Sequence, residues 1–550
     1  MCIKVIVDGV SKVIEEKVCF GKLLPINYKE RLIPIVLAKQ NDKYYELTSK
    51  IKEEGEIKFI DITEKVGMDA YKRTAQFIFI KAAIDIFKDA KITIEHSINK
   101  GIYGEIHKES PLTKEELAQI KNRMDEIISS DIKIEKRAVD KNIAQQVFET
   151  YKMDDKLRLL RYVKSDRVKL YKIDNRYDYF YGSMAYSTGV LKNYDLLFYN
   201  PGFIIRLPRT KNPTELPVFK EQKKLYGVFK ETAKWLDILG VADVGALNYT
   251  LTDKSIDEII RVSEALHEKK IACIADKFSE KKDAKIILVA GPSSSGKTTF
   301  TKRLSVQLKV NGLKPVMISL DDYFVSRDKT PVDEEGKPDF ECLEALDLKL
   351  FNKHLNELLL GKEIEVPCFN FKTGVREWCG NKVSLDGDRV LIVEGIHGLN
   401  DRLTSEIDDK YKFKVYISAL TQLNLDSHNK ISTTDVRKVR RIVRDSLSRG
   451  YDAQKTLSMW PSIKRGEEKN IFIFQEEADV MFNSTLVYEL SVLKALALKE
   501  LSRVSEDSEV YYEAKRLKTF LNFFEDIDFD RVPSNSLLRE FIGGSCFYKY

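Results

Sequence analysis

Apolar and polar residues alternate through Ile3 to Val7 and again through Lys12 to Val18, with Asp8-Gly9 between them, which predicts a β-hairpin. Apolar runs at Ile33 to Ala38 and Ile57 to Ile62 add short strands, so residues 1–64 read as a small β-rich unit. From Asp69 to Ala90 the period becomes helical. Lys81 and Asp85 interrupt the most apolar part, Phe77 to Phe87, so an amphipathic helix is expected there and not a membrane span. Mixed elements continue to about Phe219, with turn-rich stretches at 174–187 and 200–217. Leu225 to Lys282 is mainly helical, its longest helix predicted over Ile256 to Phe278, and it closes in the charged run Glu280 to Asp283. Beyond that run, strands and helices alternate as in an α/β protein with a parallel sheet. The expected division is 1–64, 65–224, a helical connector 225–283, an α/β domain 284–502 and a tail 503–550.

The chemistry concentrates where the alternation begins. Lys285 to Ala290 is a short apolar strand, a helix is predicted from Thr299 to about Val310, and the segment between them fits GxxxxGK[ST]. In that pattern backbone N–H groups wrap phosphate oxygens, and the helix N-terminus adds favourable partial charge. Gly291, Pro292, Ser293, Ser294, Ser295, Gly296, Lys297, Thr298 and Thr299 are therefore the candidate ATP-binding residues. Lys297 would reach the outer phosphates, and the Thr298 hydroxyl would ligate Mg²⁺. Two later strands end in acids: Pro315 to Leu320 in Asp321-Asp322, and Arg389 to Val393 in Glu394. Ligands of open α/β sheets sit at the carboxyl ends of strands, so both acids are expected beside the phosphates, one as base and one at the metal. Arg437, Arg441 and Arg444 share one helical face, flanked by Arg440, and suit a clamp on a transferring phosphoryl group.

Composition narrows the setting. A chain of 550 residues needs several cores, and 43% hydrophobic with 10% aromatic residues describes folded protein. Ninety-one basic against 85 acidic side chains leave a net charge of +6, too balanced to predict nucleic-acid binding by itself. The seven cysteines include no CxxC pair, which argues against a zinc ribbon or disulfide framework and fits the cytoplasm, as does an N-terminus without signal-peptide architecture. The six histidines form no HxxxH pair. His96 is expected to be structural, and Trp460 and Phe474 to be packing residues.

GPSSSGKTT, SLDDYF, PCFNF, VEGI and RRIVRDSLSRG, in that order over roughly residues 284–500, resemble the uridine kinase and phosphoribulokinase superfamily. The resemblance implies ATP as phosphate donor, Mg²⁺, and a small-molecule acceptor hydroxyl. It implies Asp321, Lys297, Arg444 and Arg449 as catalytic residues, with Asp321 the base, and Thr298 and Glu394 as metal-side residues. On the acceptor side it implies Asp322, Glu341, Phe369 and Arg441. Gly374 and Tyr451 stand where the family carries a base-reading histidine and a second nucleoside-contacting arginine. A sugar-phosphate acceptor is the alternative, and an anion site near Arg376 or Lys372 would favour it.

Residues 1–220 resemble the N-terminal part of threonyl-tRNA synthetase, a β-grasp (TGS) module followed by an editing domain. The metal-type positions of that editing domain fall on Arg73, Phe77, Phe180 and Met184, none of which replaces a histidine or cysteine ligand. Editing hydrolysis is therefore not expected. RNA binding, ligand sensing and homo-oligomer formation stay open for this half, together with a contrasting reading in which the phosphate loop is a nucleotide-gated switch on an RNA-binding module. No membrane association is expected.

Overall fold

The computed structural model describes residues 2–15, 17–332, 336, 338–370, 373–421 and 423–548. The chain divides into two compact units, one of residues 1–222, 240–249 and 422–431, the other of residues 223–239, 250–421 and 432–550.

The first unit opens with β1 (Cys2–Val7), β2 (Val10–Glu15), β3 (Ile35–Gln40), β4 (Lys43–Glu46) and β5 (Gly55–Asp61), in sheet order β2-β1-β5-β3-β4. Asp8 and Gly9, and Asn41 and Asp42, turn its two hairpins with positive φ, the backbone that two-residue hairpin loops require. The second strand stops at Glu15, short of the expected Val18. Helix α1 (Lys65–Ile86) follows, then β6 (Lys91–Ile98), β7 (Gly101–His107), α2 (Lys114–Ser129) and β8 (Glu135–Asp140). Next come α3 (Lys141–Thr150), α4 (Asp154–Leu160), β9 (Arg167–Ile173), β10 (Arg176–Tyr179), β11 (Asp195–Tyr199) and β12 (Gly202–Arg206). They form a three-stranded sheet, β10-β9-β8, and a four-stranded one, β11-β12-β7-β6. Helix α1 is not the amphipathic helix expected. Every residue from Thr74 to Ala83 is buried, and Lys81 enters that interior by pairing with Asp85 at 2.5 Å.

Helices α5 (Lys223–Leu239), α6 (Val244–Thr252) and α7 (Ile256–Glu280) lead to the phosphate-loop region. There follow β13 (Ile286–Ala290), α8 (Lys297–Val310), β14 (Lys314–Ser319), α9 (Leu348–Leu359), β15 (Ile364–Asn370), β16 (Val375–Val383), β17 (Arg389–Glu394) and β18 (Lys412–Ser418). A small hairpin, β19 (Asn424–Asp426) and β20 (Asn429–Lys430), precedes α10 (Thr433–Ser448), α11 (Ala453–Asn470), β21 (Val480–Asn483), α12 (Glu489–Leu501), α13 (Tyr511–Leu521) and α14 (Arg539–Ile542). The second unit is built on an all-parallel sheet ordered β14-β17-β13-β18-β21. Ile286 to Ala290 are buried without exception, as a central parallel strand covered on both faces requires. One face carries α7 and α8 through Ile271, Ile274, Phe278, Phe300 and Leu304; the other carries α9 through Phe351, Leu355 and Leu358.

The β19–β20 hairpin lies in the first unit although its chain neighbours lie in the second. Ile94 N–H donates to Ser427 O at 2.7 Å, and Ser427 N–H donates to Asp155 at 2.6 Å. Lys156, 2% exposed, lies 2.7 Å from Asp426 and 3.4 Å from Asp178, and His428 Nδ1 is 2.8 Å from Asp178. Burial alone would discharge Lys156; Asp426 and Asp178 together hold its pKa above the ordinary lysine value. Among the described residues no helix is long and apolar enough to cross a membrane.

Candidate active site

The loop between β13 and α8 has the backbone its sequence implies. Gly291 packs so tightly that a Cβ there would sit 2.0 Å from Ile417 O, and Gly296 and Ser294 both have positive φ. Helix α8 begins at Lys297, two residues before the expected Thr299, and Gly296 gives it no side-chain cap. Its first amides therefore have no intrahelical acceptor and point to where an anion would sit, although the third, Thr299 N–H, is met by Glu540. Lys297 folds back on the loop, Nζ donating to Gly291 O at 2.9 Å and to Pro292 O at 3.3 Å. Burial lowers its pKa, opposed by Glu394, Glu540, Asp321 and Glu467 around it.

Strands β14, β17 and β13 are neighbours, with Ser319 paired to Glu394 in register. The acids that end β14 and β17 are thereby brought to the loop that follows β13. The Thr298 hydroxyl donates to Glu394 at 3.2 Å and the Thr301 hydroxyl lies 3.3 Å from its other oxygen. Burial pushes Glu394 up to about 7, against the pull of Lys297. A hydroxyl and a carboxylate this close are hard oxygen donors of the kind Mg²⁺ takes, and Mg²⁺ keeps several waters and substrate oxygens besides, so this pair fits a Mg²⁺ site. Asp321 is open to solvent, yet the protein around it raises its pKa, opposed by Lys297 and Arg449.

The arginine helix does not present free guanidinium groups. Positions Asp435 to Asp445 of α10 are all buried. Arg437 donates to Ser293 O at 2.9 Å and pairs with Glu467, whose carboxylate in turn accepts Ser293 N–H at 2.8 Å. Arg440 binds Ser484 O at 2.8 Å and pairs with Glu489. Arg441 donates to Ser293 Oγ at 2.5 Å and pairs with Asp445 at 3.1 Å. Arg444 lies 2.6 Å from the same Asp445, and Arg449, half exposed, 3.8 Å from it. Trp460, 5% exposed, packs beneath Arg437 with the cation 5.4 Å from its ring, a packing role as expected.

On the acceptor side Asp322 accepts Phe369 N–H at 3.3 Å, which ties β15 to the end of β14, and the Phe369 ring packs edge-on to Phe324 at 5.6 Å. Glu341 is pushed up to about 7 by burial and by Glu467, with Arg441 and Lys297 opposing. Arg376 is paired with Asp347 at 3.0 Å, and Lys372 lies outside the described residues.

Two residues at this site carried no sequence signal. Glu467 comes from α11. Glu540 comes from the tail, and its carboxylate accepts Thr299 N–H at 3.0 Å while the Tyr548 hydroxyl meets Thr299 Oγ1 at 2.9 Å. The two carboxylates pair with a loop amide and an α8 amide from 174 and 241 residues away, beyond the reach of any local motif. An open cleft of about 590 Å³ elsewhere in this unit is lined by Lys309, Lys314, Lys382 and Arg389; it opens at the start of β14 and β17, the opposite end from the acids.

In the first unit the four editing-type positions are apolar or already bonded. The Phe77 and Phe180 rings lie 5.1 Å apart, Arg73 donates to Ser183 O at 2.8 Å, and Met184 is buried. His96 is 6% exposed and its pKa is lowered to about 3 by burial, a structural histidine as expected. Among the described residues no group of three or more His, Cys, Asp or Glu is placed to hold a metal.

A parallel sheet, a phosphate loop between β13 and α8, and acids at the two neighbouring strand ends define a P-loop kinase domain. Residues 286–491 match the Phosphoribulokinase / Uridine kinase family, and the chain belongs to that family. It is accordingly a kinase that phosphorylates a hydroxyl of a small metabolite. The uridine kinase of Brevibacillus brevis is 31% identical over 180 residues, covering 33% of this chain and 75% of that protein. The threonine–tRNA ligase of Caldanaerobacter subterraneus is 30% identical over 160 residues, 29% of this chain and 25% of that protein. A solved chain described as a possible uridine kinase from Bacillus stearothermophilus is 19% identical with a TM-score of 0.24, covering 36% of this chain and 89% of that one.

Proposed function

We propose that this protein transfers the γ-phosphate of ATP to a hydroxyl of a nucleoside or a similar sugar-like metabolite, with Mg²⁺. The observation that carries this reading is the meeting of the Thr298 hydroxyl with Glu394 beside Lys297, one strand away from the end of β14 where Asp321 lies. Thr298 and Glu394 would hold the metal, which when bound neutralises charge on the phosphate oxygens. The ammonium of Lys297 leaves the loop carbonyls for the outer phosphates. Asp321 takes the proton of the acceptor hydroxyl. Arg444 and Arg449 share Asp445 as counter-ion and would turn to the transferring group.

Glu341, near neutrality in its ionisation, can both donate to and accept from an acceptor hydroxyl, with Asp322, Phe369 and Arg441 around it. The pairing of Arg376 with Asp347 favours an uncharged acceptor over a sugar phosphate. For the rest of the chain we propose a β-grasp module over 1–64, an editing-like domain without metal ligands over 65–224, a connector over 225–283, the kinase domain over 284–502 and the tail. The likeness to a threonine–tRNA ligase and the parallel β1–β5 pair at the centre of the first sheet support this assignment.

The test is ATP consumption with Mg²⁺ across nucleosides, sugars and sugar phosphates, beside Lys297→Ala and Asp321→Asn. One acceptor should stimulate turnover, and each variant should lose on the order of 100-fold or more of it. Bound ATP with no acceptor-stimulated turnover would refute the kinase reading in favour of a nucleotide-gated binding module.

A further inference from the structure

The first amides of α8 are the phosphate seat of this fold, and backbone N–H groups of such loops cradle the α- and β-phosphates. Thr299 supplies the third of these amides, the one farthest from the loop, and here it is bonded to a protein carboxylate, Glu540, at 3.0 Å. Glu540 is not a loose side chain that swings past. It is 8% exposed, and its neighbours Leu537, Leu538 and Phe541 are each 1% exposed. Leu537 belongs to the same core cluster as Phe300 and Leu304 of α8, and Phe541 packs under the buried Arg440 at 5.0 Å. Arg539 ties the segment further, donating to Val532 O at 3.2 Å through Nε. The carboxylate is therefore a fixed part of the phosphate seat, and its negative charge bears on both Lys297 and Glu394.

We propose that Glu540 is a donor-selecting residue: it holds the amide that the nucleoside-side phosphate of a triphosphate would use. This rests on the reading of the P-loop as the donor site. Ser293 N–H is itself taken by Glu467, so the two outer phosphates are left to the amides from Gly296 to Thr298 and to Lys297, once it leaves the carbonyls of Gly291 and Pro292. The third phosphate meets a carboxylate of like charge instead of a free N–H. A donor held through two phosphates loses nothing from Glu540, whereas a nucleoside triphosphate loses one hydrogen bond and faces one repulsion.

The experiment is calorimetric titration of the full chain with Mg²⁺ and either AMP-PNP or inorganic pyrophosphate, in the wild type and in Glu540→Gln. Glutamine keeps an oxygen for Thr299 but lacks the charge. AMP-PNP should bind the variant about tenfold or more tightly than the wild type, while pyrophosphate changes less than twofold. In the wild type, which needs no substitution, pyrophosphate should bind at least as tightly as AMP-PNP. Equal or weaker AMP-PNP binding by a folded Glu540→Gln protein overturns the proposal, and so does a wild type that prefers AMP-PNP to pyrophosphate by more than tenfold. Binding of neither compound to wild type or variant would overturn the P-loop reading itself, and this inference with it.

Discussion

Replacing Glu394 by glutamine should remove activity and raise stability, and the gain should depend on pH. The folded protein holds the Glu394 proton up to about pH 7, against an ordinary value of 4.5. An acid whose folded pKa is raised costs stability whenever it is ionised, so the cost is absent below the unfolded value. It grows through the interval between the two values and is complete above pH 7. At about 1.4 kcal/mol per pH unit, the 2.5-unit interval sets a ceiling of roughly 3 kcal/mol. Glutamine retains an oxygen for the Thr298 hydroxyl and can donate its amide to the Thr301 hydroxyl oxygen, whose proton goes to Thr298 O at 2.8 Å, and Lys297 keeps its carbonyl partners while losing a nearby opposite charge. Glu394→Gln should therefore unfold at higher denaturant than wild type by about 1–3 kcal/mol at pH 8 and by almost nothing near pH 4.5. Urea titrations of both proteins in EDTA at the two pH values, followed by tryptophan fluorescence, make the comparison. An equal shift at both, or destabilisation that deepens at pH 8, would refute the reasoning.

Mg²⁺ affinity should follow the same proton, since the metal needs the carboxylate. Below pH 7 the apparent affinity of the nucleotide-free protein should fall by up to about tenfold per pH unit, read by calorimetry, and a flat profile would place the metal elsewhere. Lys156→Met should cost the first unit about 3–5 kcal/mol, because it strands Asp178 and Asp426 in the interior. Hydrogen exchange at β10 and β19 would reveal that loss, and unchanged protection would contradict it. Gly466→Ala places a Cβ 2.5 Å from the Glu341 side chain. The acceptor KM should rise by about tenfold or more with the ATP KM unchanged, and steady-state kinetics with both substrates varied would check it.

What could be read from the sequence was what local rules determine. The β13–loop–α8 unit needs a buried strand, glycines at two special backbone positions and a helix start, all within a short stretch, and each leaves a residue signature. The Asp8-Gly9 turn was legible for the same reason. The placement of Asp321 and Glu394 at the ends of neighbouring strands was legible because each follows a short apolar run. Glu467 and Glu540 were not, since each meets its amide through tertiary folding across a long separation. The arginines of α10 could be placed on one face, but the counter-ions that hold them, Glu467, Glu489 and Asp445, depend on packing that periodicity does not encode. Lys81 misled in the opposite direction: a lysine in an apolar helix signals exposure until its carboxylate partner is known.

The placement of the β19–β20 hairpin bears on how this chain can be cut. The first unit is discontinuous along the polypeptide, and its last contribution arrives only at residues 422–431. A fragment that stops near residue 224, where the sequence alone would end it, leaves Lys156 without Asp426 and the Ile94 amide without the Ser427 carbonyl. During synthesis the same unit must wait for some two hundred further residues before its interior charges are matched. A chain divided between the halves would give a first product whose interior charges lack their partners.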